Sequence, residues 1–348
     1  MLAEDYEESH SIDRYLVSMK PIDLVTGSPR MAKDTSYANA IQEAWRMDKA
    51  RNQDEFKDCP RGTTISTPYS FRIHSSDSQH SDEMSYSYVI RRNPALVTSI
   101  HQPKVPGILF FHTGAGPHDI FLQWKADTLA NNLKLFPDGC VILIVDILGD
   151  DSGWAWDTNR TRYDTILCDI LQPQSTSSHN DHKDTFKMGV RPHLQSKLRA
   201  AVNELISLPH ADCQRLAAMG WCLGGHSILE LARMELESLN AMITFHGVFG
   251  ECPNPPVAMA DDKRVSIGRT LICHGTDDPF VSEISLQNVV NTMKYHGQDV
   301  TVLQVAGAKH GFTNPAQDFN PNLSFRFQPN GADRAWLSAL ELLSCTIT

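Results

Sequence analysis

The chain has 348 residues, of which 41% are hydrophobic and 21% charged, and its formal net charge is -10. This length and composition allow a large buried core, and a negative charge without a basic run argues against nucleic acid or an anionic membrane surface as a partner. The acidic N-terminus lacks the basic start and apolar core of a secretory signal, and no run of about 18 apolar residues occurs, so we expect a soluble, cytoplasmic protein.

Residues 1–60 are polar and are predicted to form an N-terminal extension of the main domain, which spans 61–348. Apolar residues recur at helical spacing between Tyr37 and Trp45, which predicts one amphipathic helix docked on the main domain. We assign no chemistry to this extension.

From about Thr64 onward, apolar runs alternate with helical patterns. YSFRIHS and SYSYVIRR alternate like half-exposed antiparallel strands. Continuous apolar runs predict buried parallel strands, followed by a last strand: VPGILFFH, CVILIVDI, LAAMGWC, AMITFHGV, TLICHG and DVTVLQVA. Helices are predicted near 119–134, 193–208, 224–239, 283–295 and 332–344. The alternation predicts an α/β fold with a mostly parallel eight-stranded sheet covered by helices on both faces.

Polar groups follow four of these strands, at the sheet edge where ligands of such folds gather. ILFFH is followed by the turn 113–116, LAAMGW by Cys222, TLICHG by Asp277 and Asp278, and VLQVAGAK by His310. Eight cysteines are scattered along the chain, and without an export signal we expect free thiols rather than a disulfide framework.

The stretch GWCLGGHS, residues 220–227, predicts a sharp strand-to-helix turn centred on Cys222. α/β-Hydrolases carry a serine in a G-x-S-x-G elbow at such a turn, and their acid and histidine follow in that chain order. In this interpretation His310 takes the thiol proton, Asp278 or its neighbour Asp277 orients the imidazole, and the thiolate attacks an acyl carbonyl.

Two backbone amides are candidates for stabilising the tetrahedral oxyanion that this attack creates. One is the amide of Leu223, at the first turn of the predicted helix, and the other is an amide near Gly114. The helix N-terminus is also expected to lower the pKa of the thiol. A cysteine in a hydrolase elbow is therefore chemically sensible.

GWCLGGHS, HGTDDPFV and AGAKHGF together resemble the motifs of the dienelactone hydrolase family, α/β-hydrolases with a cysteine nucleophile. The likeness runs from about residue 65 to the C-terminus. It implies Cys222 as nucleophile, His310 as base and Asp278 as acid, because Pro-Phe-Val follows Asp278 directly. It also implies hydrolysis of a lactone or carboxylic ester, of the carboxymethylenebutenolidase type, through a thiol acyl-enzyme and without a cofactor.

The chain departs from the family pattern at two expected substrate contacts. The family has a glutamate where this chain has Thr113, and an arginine where it has Asn314. Arg160 or Arg162, in the loop predicted after the fourth strand, is a candidate second contact. Trp154 is a candidate for an aromatic contact over the site. Packing within the protein explains a tryptophan at this position equally well. The resemblance therefore implies the fold and the thiol chemistry more strongly than dienelactone as the substrate.

The exchange at Thr113 has a predicted effect on the thiol. In the resembled family the glutamate holds the resting cysteine as a neutral thiol, whereas threonine carries no charge and is a very poor base. We therefore expect Cys222 to pair directly with His310 in the free enzyme, which favours the thiolate.

Other functions are weighed against this one. Class I glutamine amidotransferases share a similar nucleophile turn but need a His-x-Glu sequence, which does not occur here. A broad-specificity esterase or thioesterase and a non-catalytic binding module on the same fold remain alternatives. The pair His179 and His182 lacks further ligands at zinc spacing, so no metal site is predicted. The expected partner is a small ester or lactone, and no oligomeric state is predicted.

Overall fold

The computed structural model describes the chain in several ranges between Thr64 and Thr348. These are 64–73, 83–92, 103–117, 119–132, 134–149, 160–173, 189–250, 252–253, 267–320 and 322–348. The helix predicted between Tyr37 and Trp45 lies outside the described residues.

Eight strands of the described ranges form one sheet in the order β1-β2-β4-β3-β5-β6-β7-β8. The strands are β1 (Thr64–Ile73), β2 (Glu83–Arg92), β3 (Val105–Phe111), β4 (Val141–Val145), β5 (Ala211–Trp221), β6 (Leu239–Phe245), β7 (Gly268–Gly275) and β8 (Gln298–Val305). Strand β2 pairs antiparallel with β1 and with β4, and every other pair is parallel. The predicted mostly parallel, eight-stranded sheet is confirmed.

The described helices are α1 (Ile120–Ala130), α2 (Arg160–Leu171), α3 (Pro192–Ser207), α4 (Gly224–Arg233), α5 (Glu283–Tyr295) and α6 (Pro329–Thr346), with a 3₁₀ helix at Pro315–Phe319. Two expectations were wrong. The helix predicted over 224–239 stops at Arg233, because Glu235 adopts a left-handed φ of 49° that cannot continue it. Arg160 and Arg162 lie on α2 and not in a loop.

The central strands are buried on both faces, and their side chains alternate between two cores. All of β3, VPGILFF, is buried. Ile108 and Phe110 belong to the core that includes residues of α1 and α6. Leu109 and Phe111 belong to the core on the other face, with residues of α3, α4 and α5. Because the strands from β3 to β8 are parallel, the polar groups that follow them are gathered at the same edge of the sheet.

Glycines set how closely α4 approaches the sheet. A Cβ atom on Gly220 would lie 2.5 Å from the carbonyl oxygen of Gly224, and one on Gly224 would lie 2.6 Å from the carbonyl oxygen of Phe111. Only residues without a side chain fit such approaches. The first turn of α4 therefore lies directly against the ends of β3 and β5.

Two further expectations concern the cysteines and helices that could span a membrane. The described cysteines are free thiols, and Cys140 and Cys273 are buried in the apolar core, as their apolar sequence context predicts. Burial raises the pKa of both thiols. Among the described residues, no helix combines the length and the apolar character needed to cross a bilayer.

Replacing Gly220 tests whether this close approach is needed. In Gly220→Ala the added methyl meets a backbone carbonyl that cannot rotate away, so we expect a loss of about 1–3 kcal/mol in the free energy of unfolding. Urea denaturation measures the loss. The control is Gly307→Ala, where the new Cβ meets nothing within 4 Å and only the positive φ of 69° costs energy, about 1 kcal/mol. A smaller loss for Gly220→Ala than for Gly307→Ala would contradict the packing argument.

Candidate active site

Cys222 lies in the elbow between β5 and α4 with a left-handed backbone. Its φ is 51°, a region that non-glycine residues rarely occupy. The strain is held by hydrogen bonds on both sides of the turn. The Cys222 amide donates to Phe245 O at 3.2 Å, and its carbonyl accepts from Gly225 N at 2.9 Å and Val248 N at 2.8 Å. A strained backbone fixed by its surroundings is typical of functional positions.

His310 and Asp278 form a buried pair beside the elbow. The Asp278 Oδ2 and His310 Nδ1 atoms are 2.8 Å apart, and both side chains are almost fully buried. The other carboxylate oxygen of Asp278 accepts from Phe280 N at 2.9 Å. Because an ionised carboxylate can only accept, Nδ1 carries the proton and Nε2 is left for the thiol. Asp277 is exposed, and its carboxylate accepts from Thr276 Oγ1.

His310 lies close enough to Cys222 for its charge to act on the thiol. Burial raises the pKa of the thiol, but the charge and hydrogen bond of His310 and hydrogen bonds from the amides of Gly114 and Leu223 outweigh it, so the pKa falls below its ordinary value. Burial lowers the pKa of His310, but the Cys222 thiolate and Asp278 outweigh it and raise the pKa above its ordinary value. Both shifts favour a thiolate–imidazolium pair.

Burial keeps two neighbouring histidines neutral. It lowers the pKa of His246 well below its usual range, and the nearby charge of His310 lowers it further. The pKa of His274 is lowered by the same two causes, although Asp278 opposes them. The positive charge of the histidine cluster therefore belongs to His310, at the position that faces the sulfur.

The amides of Gly114 and Leu223, predicted to stabilise an oxyanion, both help to lower the pKa of the Cys222 thiol. Leu223 immediately precedes α4, so its amide belongs to the first turn of a helix, where backbone donors are unpaired. Gly114 lies in the turn after β3, which a hydrogen bond from Gly116 N to Thr113 O closes at 3.1 Å. Backbone donors from two different segments thus both favour the thiolate.

The four predicted substrate contacts have different surroundings. Thr113 does not direct its hydroxyl freely toward substrate, since Oγ1 donates to Asp119 Oδ2 and accepts from Ala115 N. Asn314 is buried and caps the 3₁₀ helix through a hydrogen bond from Ala316 N. Trp154 and the Arg160 side chain lie outside the described residues. Substrate contact by these four residues stays a prediction.

Sequence reasoning missed the aromatic residues around His310. The rings of Phe280 and Phe325 have their centroids 4.8 Å and 5.2 Å from that of the imidazole, each edge to face. The ring of His246 lies 5.2 Å away, with Nε2 2.8 Å from Thr313 Oγ1. Phe280 could have been found from its place after the acid. Phe325 could not, because it reaches the site from a loop with no motif.

The described residues contain no group of three or more His, Cys, Asp or Glu side chains arranged to hold a metal ion. His179 and His182 lie outside the described ranges. The chemistry that the described part of the site can perform is therefore that of a thiol, an imidazole and a carboxylate next to two backbone donors.

The sequence is also similar to those of known proteins. A sequence model of the dienelactone hydrolase family matches residues 94–346. The uncharacterized protein K02A2.1 of Caenorhabditis elegans is 30% identical over 150 residues, which cover 43% of this chain and 92% of that protein.

Two solved structures share the fold. The protein m3DLH is 24% identical with a TM-score of 0.60, over 82% of this chain and 100% of its own. The dienelactone hydrolase-like promiscuous phosphotriesterase P91 from metagenomic libraries is 22% identical with a TM-score of 0.60, over the same shares, 82% and 100%. At these identities the likeness shows the fold and not the substrate.

The pH dependence of Cys222 alkylation tests the thiolate–imidazolium pair. In the wild type, the apparent pKa for reaction with iodoacetamide should lie below about 8.5, the value of a free cysteine. In His310→Ala, burial is no longer offset by the imidazolium, so the pKa should rise. Peptide mass spectrometry separates Cys222 from exposed Cys345, which serves as an internal reference for the reagent. Equal pKa values in the two proteins would contradict the pair.

Proposed function

The chain belongs to the dienelactone hydrolase family and is a hydrolase of that type, and we propose that it cleaves a carboxylic ester or lactone through a thiol acyl-enzyme on Cys222. One observation carries the proposal. In the strand-to-helix elbow a partly exposed thiol lies beside a buried imidazole and carboxylate that are hydrogen-bonded to each other, and the imidazole and the amides of Gly114 and Leu223 favour the thiolate. The arrangement supplies a nucleophile, a base and an oxyanion site together.

In the proposed acylation, the Cys222 thiolate attacks the carbonyl carbon and the carbonyl oxygen becomes an oxyanion. The amides of Leu223 and Gly114 stabilise this charge, since both already favour negative charge at Cys222 in the free enzyme. The carbon–oxygen bond to the leaving group then breaks, and His310 gives its Nε2 proton to the departing oxygen. Asp278 holds the imidazole in the required tautomer throughout.

Deacylation repeats these steps with water. Neutral His310 takes a proton from water, hydroxide attacks the thioester, and the thiolate of Cys222 departs and leaves a carboxylic acid product. In a lactone the leaving oxygen stays attached to the acyl group, so one hydroxy acid is released. The residues named perform every proton transfer, so the proposed reaction needs no cofactor, and its partner is a small ester or lactone.

The surroundings of His310 favour an apolar leaving group. That group must lie close to Nε2 to receive its proton, and Phe280, 47% exposed, and Phe325 flank the same ring. Aromatic edges at this place suit aryl or alkyl alcohols. We therefore choose a small aryl ester as the first test substrate. The alternatives are a broad-specificity esterase or thioesterase, which a panel of lactones, aryl esters and thioesters distinguishes, and a non-catalytic binding module.

Removal of the nucleophile tests the proposal directly. Cys222→Ala should reduce hydrolysis of p-nitrophenyl acetate to the rate without enzyme, because no other described cysteine, serine or threonine has a left-handed backbone. The matched control is Cys345→Ala, which removes an exposed thiol far along the chain and should keep wild-type kcat. Both variants are assayed by release of p-nitrophenol. Wild-type turnover by Cys222→Ala would remove the assignment, and an inactive wild type across the substrate panel would favour the binding module.

The neighbouring aspartates give a second test. Asp278→Asn loses the charge that steadies the imidazolium and forces the wrong tautomer, so kcat should fall about 10²–10⁴-fold. Asp277→Asn changes an exposed carboxylate that does not contact His310, so kcat should change less than threefold. Steady-state kinetics at saturating ester measure both. The reverse ranking would show that Asp277 is the orienting acid.

A further inference from the structure

His112 lies directly after β3, is fully buried, and takes no part in the proposed chemistry. Its Nδ1 atom lies 2.6 Å from Thr113 O, and its Nε2 atom lies 3.2 Å from Ile147 N. We propose that His112 is a positioning residue that aims the Gly114 amide at the oxyanion site. This inference rests on the proposed function for its catalytic consequence, and on the geometry alone for its effect on the thiol.

The two contacts fix which nitrogen of His112 carries the proton. The backbone amide of Ile147 can only donate, so Nε2 accepts, and the proton of the neutral ring is on Nδ1. Nδ1 therefore donates to Thr113 O. Asp146 Oδ1 lies 3.6 Å from Nε2, beyond hydrogen-bond distance, and accepts from Leu148 N at 2.8 Å. His112 thus links the end of β4 to the turn after β3.

The carbonyl that His112 holds belongs to the same peptide unit as the Gly114 amide. Peptide units are planar, and no cis peptide occurs among the described residues, so the Thr113 carbonyl and the Gly114 N–H point in opposite directions. Holding the carbonyl toward His112 therefore directs the N–H to the opposite side of the peptide, and this amide helps to lower the pKa of the Cys222 thiol. Gly116 N also donates to this carbonyl and supports the same orientation.

Without the His112 contact this peptide has an alternative. Gly114 has no Cβ, so rotation of the peptide unit meets little resistance on its C-terminal side. A rotated unit would turn the Thr113 carbonyl toward the sulfur and would repel an oxyanion instead of stabilising it. Loss of one oxyanion donor typically lowers kcat about 10²–10³-fold. Loss of the hydrogen bond from His112 to Thr113 O is therefore expected to lower kcat more than loss of an ordinary buried hydrogen bond would.

Two amide variants separate the two contacts of His112. In His112→Asn the side-chain nitrogen takes the place of Nδ1 and can donate to Thr113 O, but nothing accepts from Ile147 N. In His112→Gln the side-chain oxygen reaches the place of Nε2 and can accept from Ile147 N, but Thr113 O loses its side-chain donor and keeps only Gly116 N. Each variant loses one buried hydrogen bond, so their stabilities should fall by similar amounts, about 1–3 kcal/mol.

The proposal predicts opposite outcomes for catalysis. His112→Gln should lose about 100-fold in kcat with KM changed less than threefold, and His112→Asn should keep kcat within fivefold of the wild type. The apparent pKa of Cys222 alkylation should rise in His112→Gln, because the Gly114 amide no longer stabilises the thiolate, and should stay near the wild-type value in His112→Asn. Aryl ester kinetics, iodoacetamide labelling and thermal unfolding measure the three quantities.

Wild-type kcat and alkylation pKa in His112→Gln would overturn the proposal, as would equal kcat losses in both variants alongside equal losses of stability. If His112→Gln does not fold, His112→Leu replaces it, with the same expected loss and the same contradicting result. Alkylation needs no turnover. A wild type that hydrolyses no ester would therefore defeat the proposed function, while the alkylation pKa of the variants would still decide the role of His112.

Discussion

The left-handed backbone of Cys222 is the constraint on which the rest of the site depends. It turns β5 into α4 between Trp221 and Gly224, and this brings the sulfur and the Leu223 amide to the same edge of the sheet. The turn exists only because glycines leave room for the strand and the helix to cross, and because backbone bonds hold it on both sides. The strain is thus supported by the sheet itself, and the reactive atom is placed by secondary structure and not by a mobile loop.

A charge pair can be buried at this edge because both partners are compensated. The amides of Gly114 and Leu223 and the charge of His310 favour the thiolate, and His310 is in turn hydrogen-bonded to Asp278. Burial alone would oppose both charges. Thr113 matters here, because its hydroxyl is engaged by Asp119 and contributes no carboxylate to compete for the thiol. In the proposed mechanism the resting enzyme therefore has an activated sulfur, which is also more open to oxidation.

Much of the fold and of the candidate site could be predicted because strand ends are visible in the sequence. Apolar runs identified the parallel strands, and the polar residues after them pointed to Cys222, Asp278 and His310, whose catalytic roles stay predictions. Contacts between segments without a pattern could not be predicted. The proposed role of His112 depends on the amide of Ile147, two residues after the end of β4. Phe325 reaches His310 from an irregular loop. Arg160 was expected in a loop, because its helix has a weak apolar stripe, yet it begins α2.

The most direct test of the account is to trap the covalent intermediate. Wild-type protein is mixed with p-nitrophenyl acetate, quenched in acid within the first turnovers, digested and analysed by mass spectrometry. The account predicts one acetyl group on the peptide that contains Cys222, present before steady state and lost as the substrate is consumed. An acetyl group on another residue that forms and disappears at the rate of turnover, with Cys222 unmodified, would contradict it.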